Sequence, residues 1–462
     1  MSDKGFKIRI KIHGFTNLSI MRELIDEFLP PDNYELLEDD GFRTDSALHI
    51  NLEGSCDKDE IKRELFSKLS AITGKRPDWG ILTGVRPVKL AGEIMSGSSR
   101  DKALEILTKD YFLTENKAEL IVDTYSHQYN NYGNPKPDTV GVYIGIPFCP
   151  TRCLYCSFAS NQVPESEIER YMPALLHEIE YTGNAMKHKD VRPETIYIGG
   201  GTPTTLTAEQ LDRMLTAVET TMDLSELKEF TIEAGRPDTI TEDKLMVMKN
   251  HGVGRISINP QSMKARTLEL IGRSHSPADI VKAFDLAKSV GFDSINADLI
   301  AGLPEENSDD FRNTLDKVIE MGADNITIHT LAVKRASRLK DIDEDYHYKV
   351  AETVGKMLAE ARQTLAAEGL SPYYLYRQKH MAGFFENTGY CREGIDCLYN
   401  IRIMDEHQTI LALGAGGISK IYYPSTDKLE RIPNVTNYEQ YIDRIDEMCE
   451  RKENKYFTQE VL

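Results

Sequence analysis

Apolar and polar positions change period along the chain, and each change marks an element. Lys7 to Ile12 alternates basic and apolar residues, the period of a strand with one buried face. Residues 18–29 and 58–72 repeat their apolar positions as helices do, with a strand near Ala47–Leu52 between them. The turn-like run from Leu82 to Pro87 leads into helical patterns at 88–95, 101–110 and 115–129. Asn130 to Asp138 contains Gly133, Pro135 and Pro137 and reads as a linker. Residues 1–135 are therefore expected to form an accessory α+β domain, with Trp79, the only Trp, as a packing residue.

From Val140 to Leu331 the pattern becomes strand then helix, repeated. Strands read at 140–146, 195–198, 229–233, 254–258, 294–300 and 325–331. The first intervening helix places Ile168, Tyr171, Met172, Leu175, Leu176 and Ile179 on one stripe. The second opens with a capping box, Thr207 to Gln210, and Gly252, Gly291 and Gly322 stand as C-terminal caps. Six successive β/α units imply a parallel sheet. Right-handed crossovers would curl it into a partial (βα)6 barrel over residues 139–331, with chemistry at the C-terminal ends of the strands.

After Leu331 the period changes again. A long helix is expected over 347–368, with Val350, Val354, Met357, Leu358, Ala361 and Leu365 inward. A Tyr-rich stretch (Pro372 to His380), a Gly-rich stretch (Leu413 to Gly417) and a helix over 437–450 follow. Residues 332–462 are expected to form a C-terminal domain that covers the open barrel, so the fold class is α/β with accessory regions on either side.

Composition narrows the function classes. The 462 residues suggest two or three domains, and 40% hydrophobic with 28% charged residues suits a soluble protein. No run of 18 apolar residues is present and MSDKGFKIRI lacks a signal-peptide core, so a cytoplasmic protein with no membrane span is expected. A net charge of −19 argues against nonspecific nucleic-acid binding. Seven cysteines, three of them clustered, do not resemble a disulfide framework.

The cluster is Cys149, Cys153 and Cys156, in Ile146-Pro147-Phe148-Cys149-Pro150-Thr151-Arg152-Cys153-Leu154-Tyr155-Cys156. Its spacing is C-x3-C-x2-C, in the loop after the first barrel strand. Thiolates suit zinc or iron–sulfur clusters. Zinc would need a fourth ligand, and the nearest downstream candidates, His177 and Cys391, are distant in sequence. Three thiolates could instead hold three irons of a [4Fe–4S] cluster and leave the fourth open. Other candidates follow later strands: Gly199-Gly200-Gly201-Thr202-Pro203, Glu233, Gln261, Arg273, and Asp298 inside an apolar strand. A glycine turn permits close backbone approach to a ligand, and a buried acid needs a partner.

The run resembles the radical S-adenosylmethionine (SAM) enzymes, whose motif is C-x3-C-x-aromatic-C, with Tyr155 in the aromatic place. Across roughly residues 140–420 it is similar to the HemN/HemW/HemZ group, and most similar to the HemZ branch of oxygen-independent coproporphyrinogen III oxidase-like proteins. The supporting runs are Ile146-Pro147-Phe148-Cys149, Gly199 to Pro203, Gln261-Ser262, Gly272-Arg273, Asp298 to Pro304, and Tyr374 to Lys379 with Met381-Ala382-Gly383. The resemblance implies a [4Fe–4S] cluster on the three cysteines, with SAM on the open iron. Tyr143, Gly200, Glu233, Arg273 and Asp298 would contact SAM, and Tyr155 would pack near its adenine. Gly201, Thr202 and Gln261 would line that site, an adjacent substrate site or a second SAM site.

It further implies a tetrapyrrole substrate or heme, and a low-potential electron donor such as flavodoxin or ferredoxin. Arg377, Lys379 and Arg392 could pair with propionates. Cys391 and Cys397 read as free or packing thiols. The sequence departs from HemN at two places: Ser157 and Phe158 follow Cys156 where HemN has a further Cys, and Gly145 stands where HemN has His. HemW heme chaperones also lack that Cys. Two functions are thus expected to compete, oxidative decarboxylation of coproporphyrinogen III and heme delivery.

Overall fold

A computed structural model of the chain describes residues 7–458 apart from 14, 16, 38–47, 51–56, 159, 335, 336, 344, 379 and 380. The N-terminal region opens with β1 (Ile8–Ile12), β2 (Tyr34–Leu37) and β3 (Leu48–Ile50), all parallel, in the order β2-β1-β3. Helices Leu18–Phe28 and Lys58–Thr73 bury Met21, Leu24, Phe28, Leu65 and Phe66 against Ile10 and Ile12. Three further helices, Pro87–Met95, Arg100–Lys109 and Glu115–Tyr132, surround Trp79. The residues flanking β3 in the expected 47–52 strand lie outside the described residues.

The barrel strands are β4 (Thr139–Ile146), β5 (Arg192–Gly200), β6 (Glu229–Glu233), β7 (Arg255–Ser257), β8 (Ser294–Ala301) and β9 (Asn325–Thr330). They pair in sequence order and all in parallel, as the six β/α units predict. The Thr207 capping box forms, with Gln210 N–H on Thr207 Oγ1 at 3.2 Å and the reciprocal bond at 3.0 Å. Gly291 ends its helix at φ 83°, a left-handed conformation that costs glycine nothing.

Strand alternation sorts the side chains. Val142, Ile144, Ile196, Ile198, Ile232, Ile256, Leu299 and Ile328 are buried in the helix-facing core. The intervening positions are polar: Tyr143, Tyr197, Glu233, Ser257, Asn296, Asp298, Thr327 and His329. These bond or stack with one another across the inner face. A barrel with a hydrophilic lumen is built to hold a ligand.

The chain after β9 adds strands to both edges of this sheet. β10 (Ser371–Arg377) and β11 (Glu386–Cys391) continue it antiparallel beyond β9. β12 (Ile410–Leu413) pairs parallel with β4, followed by β13 (Ile418–Tyr423) and β14 (Lys428–Pro433). The result is one sheet of 11 strands. The expected 347–368 helix runs from Ala351 to Ala367 after a short turn of helix, and the expected 437–450 helix is broken at Arg444.

Candidate active site

The cysteine loop leaves β4 at its C-terminal end. Pro147 ends the strand, and the loop is tied down by backbone bonds rather than by its own turns. Cys149 N–H donates to Asn161 O at 3.0 Å, and Asn161 N–H returns to Pro147 O at 2.9 Å. Leu154 N–H reaches Ile271 O at 3.0 Å, and Thr151 Oγ1 reaches Gly272 O at 3.0 Å. The glycine turn after β5 closes on the same loop: Gly201 N–H donates to Ile146 O at 2.7 Å and Thr202 N–H to Phe148 O at 2.8 Å. A Cβ on Gly201 would lie 2.5 Å from Phe148 O and 3.0 Å from Cys149 Sγ, so no side chain fits there. Gly200 holds φ 109°, which also requires glycine.

Cys149, Cys153 and Cys156 are free thiols, and burial pushes Cys149 up to about 11. Their polar neighbours are donors: Thr202 Oγ1 at 3.6 Å from Cys149 Sγ, and Arg236 Nη1 at 3.9 Å from Cys153 Sγ. Among the described residues no group of three or more His, Cys, Asp or Glu converges on one metal-ion position. A cubane distributes its thiolates over separate irons, so it does not require them to converge. Partly buried thiols with cationic neighbours fit that donor set.

Arg236 was not singled out from the sequence. It is buried, with Nε on Asp238 Oδ1 at 3.0 Å, Nη2 on Asp238 Oδ2 at 3.1 Å and on Ser274 Oγ at 3.0 Å, and Nη1 on Thr151 Oγ1 at 2.9 Å. Burial opposes ionisation of Asp238, but His275 and Arg236 outweigh it and hold the carboxyl well below its ordinary range. Its signal in the sequence was Arg236 three residues past Glu233, at a strand end.

Arg273, expected to clamp the SAM carboxylate, has both Nη groups engaged. Nη1 donates to Gly235 O at 3.1 Å and Asn259 O at 2.7 Å, and Nη2 to Tyr155 Oη at 3.1 Å. Its Nε is buried without a partner among the described residues, as is Gln261 Oε1. Gln261 takes φ 64°, and its N–H bonds Asp298 O at 2.9 Å.

Lower in the lumen, Tyr197 stacks on Tyr399 at 4.6 Å and on Tyr143 at 6.3 Å between ring centres. Tyr197 Oη donates to Glu233 Oε1 at 2.7 Å. Burial pushes Glu233 up to about 7, the Tyr197 hydroxyl offsets part of this, and the Asp298 charge adds to it. Asp298 goes the other way. Burial raises it, but His329 (3.5 Å) and the Asn296 amide (2.7 Å) outweigh burial and hold it below its usual range. The pKa values of two lumen carboxyls, on strands separated by β7, are thus pushed in opposite directions.

The expected propionate partners are not gathered here. Arg377 is buried and spent on the N-terminal region: it ion-pairs Glu27 at 2.9 Å, donates to Leu82 O and Phe384 O, and lies 4.9 Å over the Trp79 ring. Arg392 follows Cys391, which pairs with Asn325 at the N-terminal end of β9, so it stands at the far end of the barrel. In this structure, then, one of these cations is already ion-paired and the other stands away from the cysteine loop. Lys379 lies outside the described residues. Cys391 and Cys397 are buried free thiols, donating to Asp396 at 3.1 Å and Glu229 at 3.2 Å.

The family model of the radical SAM superfamily matches residues 143–318. The oxygen-independent coproporphyrinogen-III oxidase-like protein HemZ of Bacillus subtilis is 38% identical over 408 residues, 87% of this chain and 81% of that one. The heme chaperone HemW of the same organism is 29% identical over 308 residues, 66% of this chain and 76% of its own. The solved coproporphyrinogen III oxidase HemN of Escherichia coli, described as a radical SAM enzyme, superposes with a TM-score of 0.55 at 22% identity, covering 70% of this chain and 73% of that one. The radical SAM assignment brings its cofactors, a [4Fe–4S] cluster and SAM. No helix among the described residues is long and apolar enough to cross a membrane.

Proposed function

This chain belongs to the radical SAM superfamily, in the HemN/HemW/HemZ group, and on that footing we propose that it acts on a tetrapyrrole, by oxidative decarboxylation of the coproporphyrinogen III type. One observation carries the reading: the cysteine loop, the Gly199–Gly201 turn and the carboxyls of Glu233 and Asp298 meet at one end of one polar-lined barrel. The names of its relatives supply the tetrapyrrole.

In this reading Cys149, Cys153 and Cys156 hold the cluster. Tyr143, Gly200, Gly201, Thr202, Glu233, Gln261 and Asp298 hold SAM, while Arg273 and Tyr155 brace the loop. Held there, the cluster and SAM would supply the one-electron, hydrogen-abstracting chemistry that oxidative decarboxylation of a propionate to a vinyl group, with CO2 released and an external electron acceptor, requires. The residues' own work is placement. Glu233 and Asp298 accept hydrogen bonds from an ammonium or ribose hydroxyls. Arg236 places a buried guanidinium 3.9 Å from Cys153 Sγ, where it can donate a charged hydrogen bond to a ligating sulfur. A low-potential donor such as flavodoxin or ferredoxin would reduce the cluster.

A second reading, a heme chaperone of the HemW type, is favoured by Phe158 standing where HemN has its further Cys. Anaerobic incubation with SAM, dithionite and coproporphyrinogen III separates the two. A decarboxylated product in the mass spectrum supports the enzyme; heme binding without turnover supports the chaperone.

A further inference from the structure

With Arg377 and Arg392 committed elsewhere, the barrel mouth needs another cation if it is to take a carboxylated substrate. Lys334 is placed for this. It follows β9 in Leu331-Ala332-Val333-Lys334, at the C-terminal end of the sixth barrel strand. Its backbone is held on both sides. Leu331 N–H bonds Ala301 O at 3.0 Å, Ala332 bridges to Met381, and Lys334 O accepts from Ser337 N–H at 2.9 Å and Ser337 Oγ at 2.8 Å. Leu339 N–H then pins the segment to Leu154 O in the cysteine loop at 3.2 Å.

The Lys334 side chain is half-buried, and among the described residues it has no carboxylate or carbonyl partner. Other cations of this rim are engaged: Arg236 with Asp238, and Arg273 with backbone carbonyls. Among the described residues the ring that Lys334 meets is Phe158, 5.6 Å from Nζ to the centroid, and that residue is 65% exposed. An exposed aromatic residue and an ammonium with no carboxylate partner among the described residues therefore stand together beside the cysteine loop.

We propose that Lys334 and Phe158 form the substrate-recognition pair of this site, the ammonium taking a carboxylate of a tetrapyrrole and the ring packing against the apolar face of one of its pyrroles. The pairing rests on the tetrapyrrole reading above and supplies the cationic partner that the sequence had assigned to Arg377 and Arg392. It selects for a carboxylate carried next to an apolar ring.

The test uses the full chain with its cluster reconstituted anaerobically, and three probes: coproporphyrin III, its tetramethyl ester, and SAM. The unaltered protein should prefer the acid to the ester. Lys334→Met should lower affinity for the acid about tenfold, the lower end of a charged hydrogen bond, and abolish the preference. Lys334→Arg should restore it, and iron content and SAM affinity should not change. Phe158→Ala should weaken acid and ester alike. An unchanged acid-to-ester ratio in Lys334→Met would overturn the inference while leaving the tetrapyrrole reading intact. Loss of SAM affinity with unchanged porphyrin binding would overturn it too, by giving the ammonium to the SAM carboxylate. If the unaltered protein binds neither porphyrin, the tetrapyrrole reading fails and the inference with it.

Discussion

Glu178 and Glu233 are acids of the same barrel with opposite surroundings. Glu178, on the helix Glu165–Lys189, is fully buried and accepts four hydrogen bonds. Asn434 Nδ2 (2.8 Å) and Lys452 Nζ (2.6 Å) meet Oε1, while Gly414 N–H (2.7 Å) and Tyr441 Oη (2.5 Å) meet Oε2. Glu233, at the end of β6, accepts one side-chain bond, from Tyr197, and burial pushes it up to about 7. The first acid is complete and ties the C-terminal helices to the barrel. The second has a single side-chain donor, and elsewhere at the strand ends Gln261 Oε1 and Arg273 Nε are buried without partners among the described residues. Satisfied buried groups mark structure, and incompletely satisfied ones mark where a ligand completes the set.

The largest effect should come from breaking the complete side. Glu178→Ala leaves Lys452, Asn434 and Tyr441 without their shared acceptor and should destabilise the fold by about 3–5 kcal/mol, the range for a broken buried pair. Urea unfolding measures it. Glu233→Ala should cost far less stability while weakening SAM binding; equal losses for the two variants would erase the contrast.

Gly201→Ala probes the loop between them. The added Cβ meets Phe148 O and Cys149 Sγ, so the anaerobically reconstituted protein should lose most of its iron. Iron analysis that matches the unaltered protein would show that the glycine turn does not shape the cysteine loop.

Asp298→Ala should weaken SAM binding with iron retained, since the carboxyl lies on β8 and not on the loop. Calorimetry reads it, and unchanged affinity would move the SAM site elsewhere.

A smaller effect is the pH dependence of stability. The folded-state pKa of Glu233, about 7, lies above its reference value of 4.5, so the folded protein holds this proton more tightly. Its contribution is fully present below pH 4.5 and is lost as pH rises through about 7. Glu233→Gln should flatten that part of the stability curve. A ligand ammonium favours the carboxylate, so SAM binding near pH 7 should release protons, seen as a buffer-dependent heat.

Legibility in the sequence followed distance along the chain. The cysteine motif and the six strands were readable because each is written within ten residues. The lumen was readable in principle, from alternations such as Glu229-Phe230-Thr231-Ile232-Glu233 and Asn325-Ile326-Thr327-Ile328-His329. Pairings across hundreds of residues were not. Nothing near Arg377 announces Glu27 as its partner, and nothing near Ile410 announces that β12 pairs with β4. Lys334 was passed over for a similar reason: a lysine after a strand looks solvated until the packing around it is known.

The account turns on the cysteine loop as a radical SAM centre. The direct measurement is 5′-deoxyadenosine formed from SAM by the anaerobically reconstituted, dithionite-reduced protein, quantified by mass spectrometry. Formation by the unaltered chain, with about four irons bound, and none by Cys153→Ala is the predicted result. Zinc in place of iron, or deoxyadenosine formed equally well without Cys153, would contradict it.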